Sequence, residues 1–264
     1  MSDAPPMSSH VTGEDLAELR ERLLNMQDAL VRLLTDPRYL EPTPVPRELA
    51  GIDPSRLCML AQFVHSKRVS KIRQTLPITC SLIGNDGSWD RQFAQRHPSL
   101  DARNIANALQ FYRFLLRAWR DAPPRHPLLP DIAYCEISLA VLTVQRAAAP
   151  PCLAVRTAAH STDQVWGRRS PGVRLRVLTS EAHALLTGQP HAPIADEPVN
   201  VAVARSRLSG RPALFALRKP VFDLVSALSH WQALGSIGTL TGSLDALAGL
   251  EDAGVLEFRV TDNS

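Results

Sequence analysis

Residues 199–218 read VNVAVARSRLSGRPALFALR. The first half alternates Val199, Val201 and Val203, and the second alternates Ala213, Phe215 and Leu217. Alternation at a period of two puts one set of side chains on one face of a strand. The link Leu208-Ser209-Gly210 between the runs is short and ends in glycine, so the stretch predicts a β-hairpin.

The flanks extend this pattern. Upstream, VRLRVLT (173–179) sets Val173, Leu175 and Val177 against Arg174 and Arg176, and CLAVRTA (152–158) sets Leu153, Val155 and Thr157 against Ala154 and Arg156. A small helix, 180–186, falls between strands. Downstream come two expected helices, 221–234 and 243–253, then a last strand over 255–260. Hairpin, two helices and a closing strand resemble a winged helix. The second helix of such a unit reads DNA through base- and phosphate-contacting side chains. Here it carries Asp245, Glu251 and Asp252 and no Lys or Arg, so nucleic-acid binding is not expected. A small open sheet has another use: an extended peptide can add to its edge as a further strand.

Before Pro150-Pro151 the character is helical. Leu16, Leu19, Leu23, Met26, Leu30, Val31 and Leu34 recur at helical spacing. Asp53-Pro54 is a start signal, a capping carboxylate followed by proline at the first helical position. Further helices are expected from Ser88, from Asp101, and over 129–147, with a break at Pro77. The expected fold class is therefore α+β: an N-terminal all-α helical bundle, then a small β-sheet domain with winged-helix-like C-terminal helices. The expected divisions are a disordered N-terminus (1–11), a bundle domain (12–150) and an α+β peptide-recognition domain (151–264).

The chain has 264 residues, 45% hydrophobic and 21% charged. That composition excludes wholesale disorder. No apolar run of about 18 residues crosses a membrane, and the first residues show no secretory signal, so a cytoplasmic protein without membrane partners is expected. Charge is nearly balanced: 18 basic against 16 acidic residues through residue 150, and 11 against 10 beyond it. Neither part has the basic excess of a dedicated nucleic-acid binder. Cys58, Cys80, Cys135 and Cys152 have no zinc-ligand spacing and read as small buried hydrophobes. There is no GxGxxG, Walker loop, HExxH or GxSxG. The absence of a catalytic set favours a protein that binds over one that catalyses. One concentrated basic segment, Lys67, Arg68, Lys71 and Arg73, reads either as a solvated face or as a docking surface for an acidic partner.

Several segments carry a family resemblance. They are Asp53-Pro54-x-Arg56, Arg68-x-x-Lys71-Ile72-Arg73-x-x-x-Pro77, and Leu82-Ile83-Gly84. Trp89 and Phe93 follow, then the HPSL break at 97–100 and Leu128-Leu129-Pro130-Asp131-Ile132-Ala133. This pattern resembles the helical domain of partner proteins to multinuclear non-haem iron oxygenases. Those include the methanobactin-biosynthesis MbnC type, the thiaglutamate-pathway TglI type and the HvfC type. Leu76-Pro77-Ile78-Thr79-Cys80 leans toward the methanobactin kind. The likeness covers most of 14–260.

The resemblance implies a non-catalytic accessory subunit. It would form a heterodimer with an iron-binding TIM-barrel oxygenase and recruit the leader of a ribosomally made precursor peptide (a RiPP precursor) for cysteine modification. No cofactor is expected in this chain, and the iron belongs to the partner. Lys67, Arg68, Lys71 and Arg73 are the expected partner interface. Val199, Val201, Val203 and Arg205 are the expected peptide-binding strand, because Val199–Val203 contains neither charge nor proline to blunt an edge. Which edge of the sheet is free stays open. The alternative is a winged-helix DNA-binding transcription regulator, and a third, weaker option is a stand-alone enzyme.

Overall fold

The computed structural model describes residues 13–35, 45–84, 88–97, 104–145, 165–189, 197–236 and 244–260. The expected disordered N-terminus (1–11) and the expected strand at 152–158 lie outside these residues. The helices are α1 (Gly13–Thr35), α2 (Pro54–Thr75), α3 (Pro77–Ile83), α4 (Ser88–Arg96), α5 (Asn104–Asp121), α6 (Leu129–Val144), α7 (Ser180–Leu186), α8 (Lys219–Ala227) and α9 (Leu244–Asp252). The strands are β1 (Val165–Arg169), β2 (Arg174–Leu178), β3 (Val199–Arg205), β4 (Pro212–Leu217), β5 (Gln232–Ala233) and β6 (Leu256–Val260). Among the described residues six helices precede the first strand and three more lie between strands, an α+β fold. Among the described residues no helix is long and apolar enough to cross a membrane.

The chain divides into two compact units, but not at residue 150. The first falls within Met1–Lys71 and Asp86–Asn107, the second within Ile72–Asn85 and Ala108–Ser264. In the first, Asp53 Oδ1 accepts from the Ser55 backbone N–H at 2.9 Å as α2 starts, the capping expected from Asp53-Pro54. Leu57 and Ala61 of α2 pack with Ala29 and Leu33 of α1 and with Leu49 in a short 3-10 turn.

In the second unit α6 explains the displaced boundary. It is apolar nearly all round, with Leu129, Ile132, Ala133, Cys135, Ile137, Ala140 and Leu142 buried. A helix of that kind needs cover on several sides. Leu128, Ile132, Cys135 and Leu142 pack on Leu178, Val201 and Val203 of the sheet and on Ala182 of α7. On α6, Glu136 is also buried. Its two carboxylate oxygens accept from the Ile78 and Thr79 backbone N–H groups at 2.8 and 2.9 Å. These are first-turn donors of α3, which would otherwise be orphaned. Burial pushes the Glu136 carboxyl above its ordinary value, against the pull of those donors.

Both sheets are three-stranded and antiparallel, in the orders β5-β1-β6 and β2-β3-β4. Two expectations shift here. The helix expected over 221–234 ends at Ala227, because residues 232–233 pair with β1 instead. The strand β1 itself was not expected.

A buried ion pair fastens the hairpin to α9. Arg207 Nη1 meets Glu251 Oε1 at 3.1 Å, with side chains 6% and 0% exposed, and the Arg207 N–H donates to the Asp252 carbonyl at 2.8 Å. The chain leaves α9 through Gly254, at φ +71. A Cβ there would lie 2.0 Å from the Arg205 carbonyl oxygen, so only glycine fits.

Candidate peptide-docking surface

The alternation of β3 places Val201 and Val203 against α6, and Ala202 and Ala204 in the second core with Val225, Leu228, Leu256 and Phe258. All four are 0% exposed. Its backbone is paired on both sides, Val201 with Arg176 of β2 and with Ala216 of β4. Val199, Val201 and Val203 therefore lie on the central strand, which offers no edge. The lack of charge that suggested an open edge is the mark of a strand buried on both faces. Arg205 is equally committed. Its guanidinium donates to the Leu142 and Gln145 carbonyls at the end of α6 and to the Gly210 carbonyl. It caps α6 and braces the hairpin.

The outer strands are β2 and β4 in this sheet and β5 and β6 in the other. Three of them carry the features that discourage pairing. Arg174 and Arg176 stand on β2, and Arg176 pairs with Asp131 at 2.6 Å and lies over Tyr134. β5 is two residues long. β6 carries Glu257 and Arg259. β4 differs. After its first residue, Pro212, it runs Ala213-Leu214-Phe215-Ala216-Leu217 with neither charge nor proline, and Arg211 and Arg218 stand at its two ends. Leu214, Phe215 and Leu217 are half-buried against the cores, and Ala216 is exposed. This is the strand edge with the fewest obstacles to an added strand.

The basic segment divides. Arg68 is 5% exposed. Its Nε donates to Asn107 Oδ1 at 2.8 Å, its Nη1 donates to the His97 carbonyl at 2.5 Å, and the guanidinium lies 4.3 Å from the Phe93 ring centroid. Burial lowers its pKa to about 10, so it stays charged at neutral pH. Arg68 is thus an internal clamp of the first unit rather than a docking residue. A guanidinium in the interior needs hydrogen-bonding and aromatic partners. Lys67 is exposed, with its ammonium 5.3 Å from the Phe63 ring. Lys71 is half-buried, and Arg73, exposed, belongs to the second unit.

Among the described residues, no group of three or more His, Cys, Asp or Glu side chains could hold a metal ion. Cys135 is buried, and its thiol is pushed up to about 12 by desolvation, which leaves it protonated and unreactive. A cleft of about 140 Å³ is lined by Gln145, Ser170, Val173, Arg205, Gly254 and Glu257. It is smaller than the pockets that enclose organic ligands.

Sequence reasoning missed a further feature on the sheet β5-β1-β6. Trp166 and Arg168 of β1, Glu257 and Arg259 of β6, and Trp231 beside β5 form a stacked cluster. The signal was the alternation Trp166-x-Arg168 opposite Glu257-x-Arg259, hidden because Gly167 and Arg169 make β1 look like a loop. No family model matches the chain, and no curated protein matches it.

Proposed function

We propose that this chain is a non-catalytic, cytoplasmic subunit that presents a peptide to a partner enzyme, taking the peptide up as an added strand on β4. The observation that carries this is the edge itself. Of the four outer strands among the described residues, only β4 combines length, apolar character and freedom from internal charge and proline. Main-chain hydrogen bonds would supply affinity, and the alternating surface beside Leu214 and Ala216 would supply specificity. The resemblance of the helical segments supplies the rest of the reading. The partner is a multinuclear iron oxygenase of the TIM-barrel type, which carries the iron, and the peptide is the leader of a ribosomally made precursor whose cysteines that enzyme modifies. Lys67 and Lys71 of the first unit, and separately Arg73 of the second, remain the candidate residues toward the enzyme.

The DNA-binding alternative draws no support from α9. Its Glu251 is used in the buried pair with Arg207, and the helix brings no basic residue.

The test is co-expression with a multinuclear iron oxygenase of the barrel type and its precursor peptide. Size exclusion should give one complex with the enzyme. A labelled leader should bind the complex, and Ala216→Lys, which puts a charge on the exposed position of β4, should weaken it at least tenfold without loosening the complex. Two separate peaks would end the partnership reading. Equal leader affinity in wild type and Ala216→Lys would end the β4 reading.

A further inference from the structure

We infer that the outer face of the sheet β5-β1-β6 is a second binding site, built around Arg259, which takes a carboxylate from an acidic segment of a partner protein. The inner face of this sheet is spoken for. Val165, Leu256 and Phe258 pack with Val225 and Leu228 around α8 and with Leu247 of α9. By the period-two alternation of β1 and β6, Trp166, Arg168, Glu257 and Arg259 stand on the other face.

On that face the side chains are stacked. The Arg259 guanidinium lies 5.5 Å from the Trp166 ring centroid and 4.6 Å from that of Trp231. Arg168 lies 4.7 Å from Trp231 on its own account. The two arginines differ in charge balance. Arg168 is neutralised by Glu257, at 2.8 and 2.9 Å through two nitrogens. Arg259 is exposed, and among the described residues no carboxylate pairs with it. A guanidinium held against two aromatic rings has less rotamer freedom to lose when a ligand arrives, and its five N–H groups suit a carboxylate. Tryptophan and arginine held together in this way are the residue types that dominate binding energy at protein interfaces.

Charge and stacking together select the occupant. A guanidinium that no carboxylate pairs among the described residues, rimmed by two indoles, matches a single Asp or Glu flanked by apolar side chains. Single-stranded nucleic acid fits less well. It needs a track of cations for successive phosphates and open aromatic faces for its bases. Here guanidinium groups already lie over both indoles, and Arg259 alone gives no track of cations.

The experiment follows the tryptophan indole N–H signals of the full chain by two-dimensional NMR, with Trp166 and Trp231 assigned through Trp→Phe variants. The probe is the peptide Gly-Leu-Glu-Leu-Gly with blocked ends, with its Gln counterpart and an oligo(dT) as controls. The acidic peptide should shift both signals in a saturable way, and the Gln peptide should not. Arg259→Gln should weaken that binding at least tenfold, and Arg259→Lys should weaken it less. Ala216→Lys on β4 should leave it unchanged, which separates this site from the leader edge. No saturable shift up to millimolar peptide would overturn the inference, as would equal affinity in Arg259→Gln. Tighter binding of oligo(dT) would replace the acidic segment with nucleic acid and overturn it as well.

Discussion

The two sheets have the same strand count and the same antiparallel pairing, yet they use their surfaces in opposite ways. In β2-β3-β4 the central strand is closed on both faces, with Val201 and Val203 on one core and Ala202 and Ala204 on another. What remains open is an edge, β4. In β5-β1-β6, among the described residues, the central strand packs its Val165 side into the core and carries half-buried Trp166 and Arg168 on the other. Its edges are short or charged, and what remains open is a face carrying Trp166, Arg168, Trp231 and Arg259. A strand without charge is therefore not by that fact a docking strand. When both its faces are buried, it is apolar because it is core.

Substitutions test this contrast in order of expected size. The largest effect should come where the two sheet systems are tied together. Glu251→Ala leaves Arg207 buried without its carboxylate, which costs about 3–5 kcal/mol. Urea unfolding should show it as a large fall in midpoint. Next is the closed strand. Val201→Pro removes a ladder donor from a buried strand paired on both sides and orphans its acceptor, which should cost about 1–3 kcal/mol. If that variant instead folds like wild type and loses only peptide binding, β3 is not the core strand described.

A smaller, pH-dependent effect belongs to Glu136. Its carboxyl is raised above the ordinary 4.5 by burial. A raised carboxyl contributes stability that is fully present below its unfolded value and is lost as pH rises through its folded value. Relative to Glu136→Gln, the wild type should therefore lose stability as pH is raised from below 4.5 toward neutrality. A difference between the two that stays constant across that window contradicts the assignment. The smallest effect should be at the open edge. Ala216→Lys, at an exposed position, should change stability by no more than about 0.5 kcal/mol, and a large loss would show β4 to be as closed as β3.

Much of the fold was legible. The hairpin of 199–218, the start at Asp53-Pro54, the helix at 180–186 and the last strand all follow from alternation, capping and helical spacing, which are local. What was not legible depends on distant partners. β1 exists because Trp166-Gly167-Arg168 finds β6 some ninety residues later. The helix expected to run to Leu234 stops at Ala227 because residues 232–233 pair with β1. Arg68 read as a surface charge because nothing nearby in sequence announces Asn107 and Phe93 as its partners. Arg205 looked like the end of a docking strand because the carbonyls it caps, Leu142 and Gln145, lie sixty residues upstream. The boundary at Pro150-Pro151 followed the composition, whereas the compact units follow α6, whose apolar surface belongs with the sheet.

The most direct measurement of the central claim is amide hydrogen exchange on the chain co-expressed with a barrel-type iron oxygenase, with and without a precursor leader peptide. Strand addition on β4 predicts that amides within Ala213–Leu217 become protected at alternate positions when the leader binds, while those of β3 stay protected throughout. Leader binding that leaves β4 exchange unchanged, or that protects β2 instead, would contradict it.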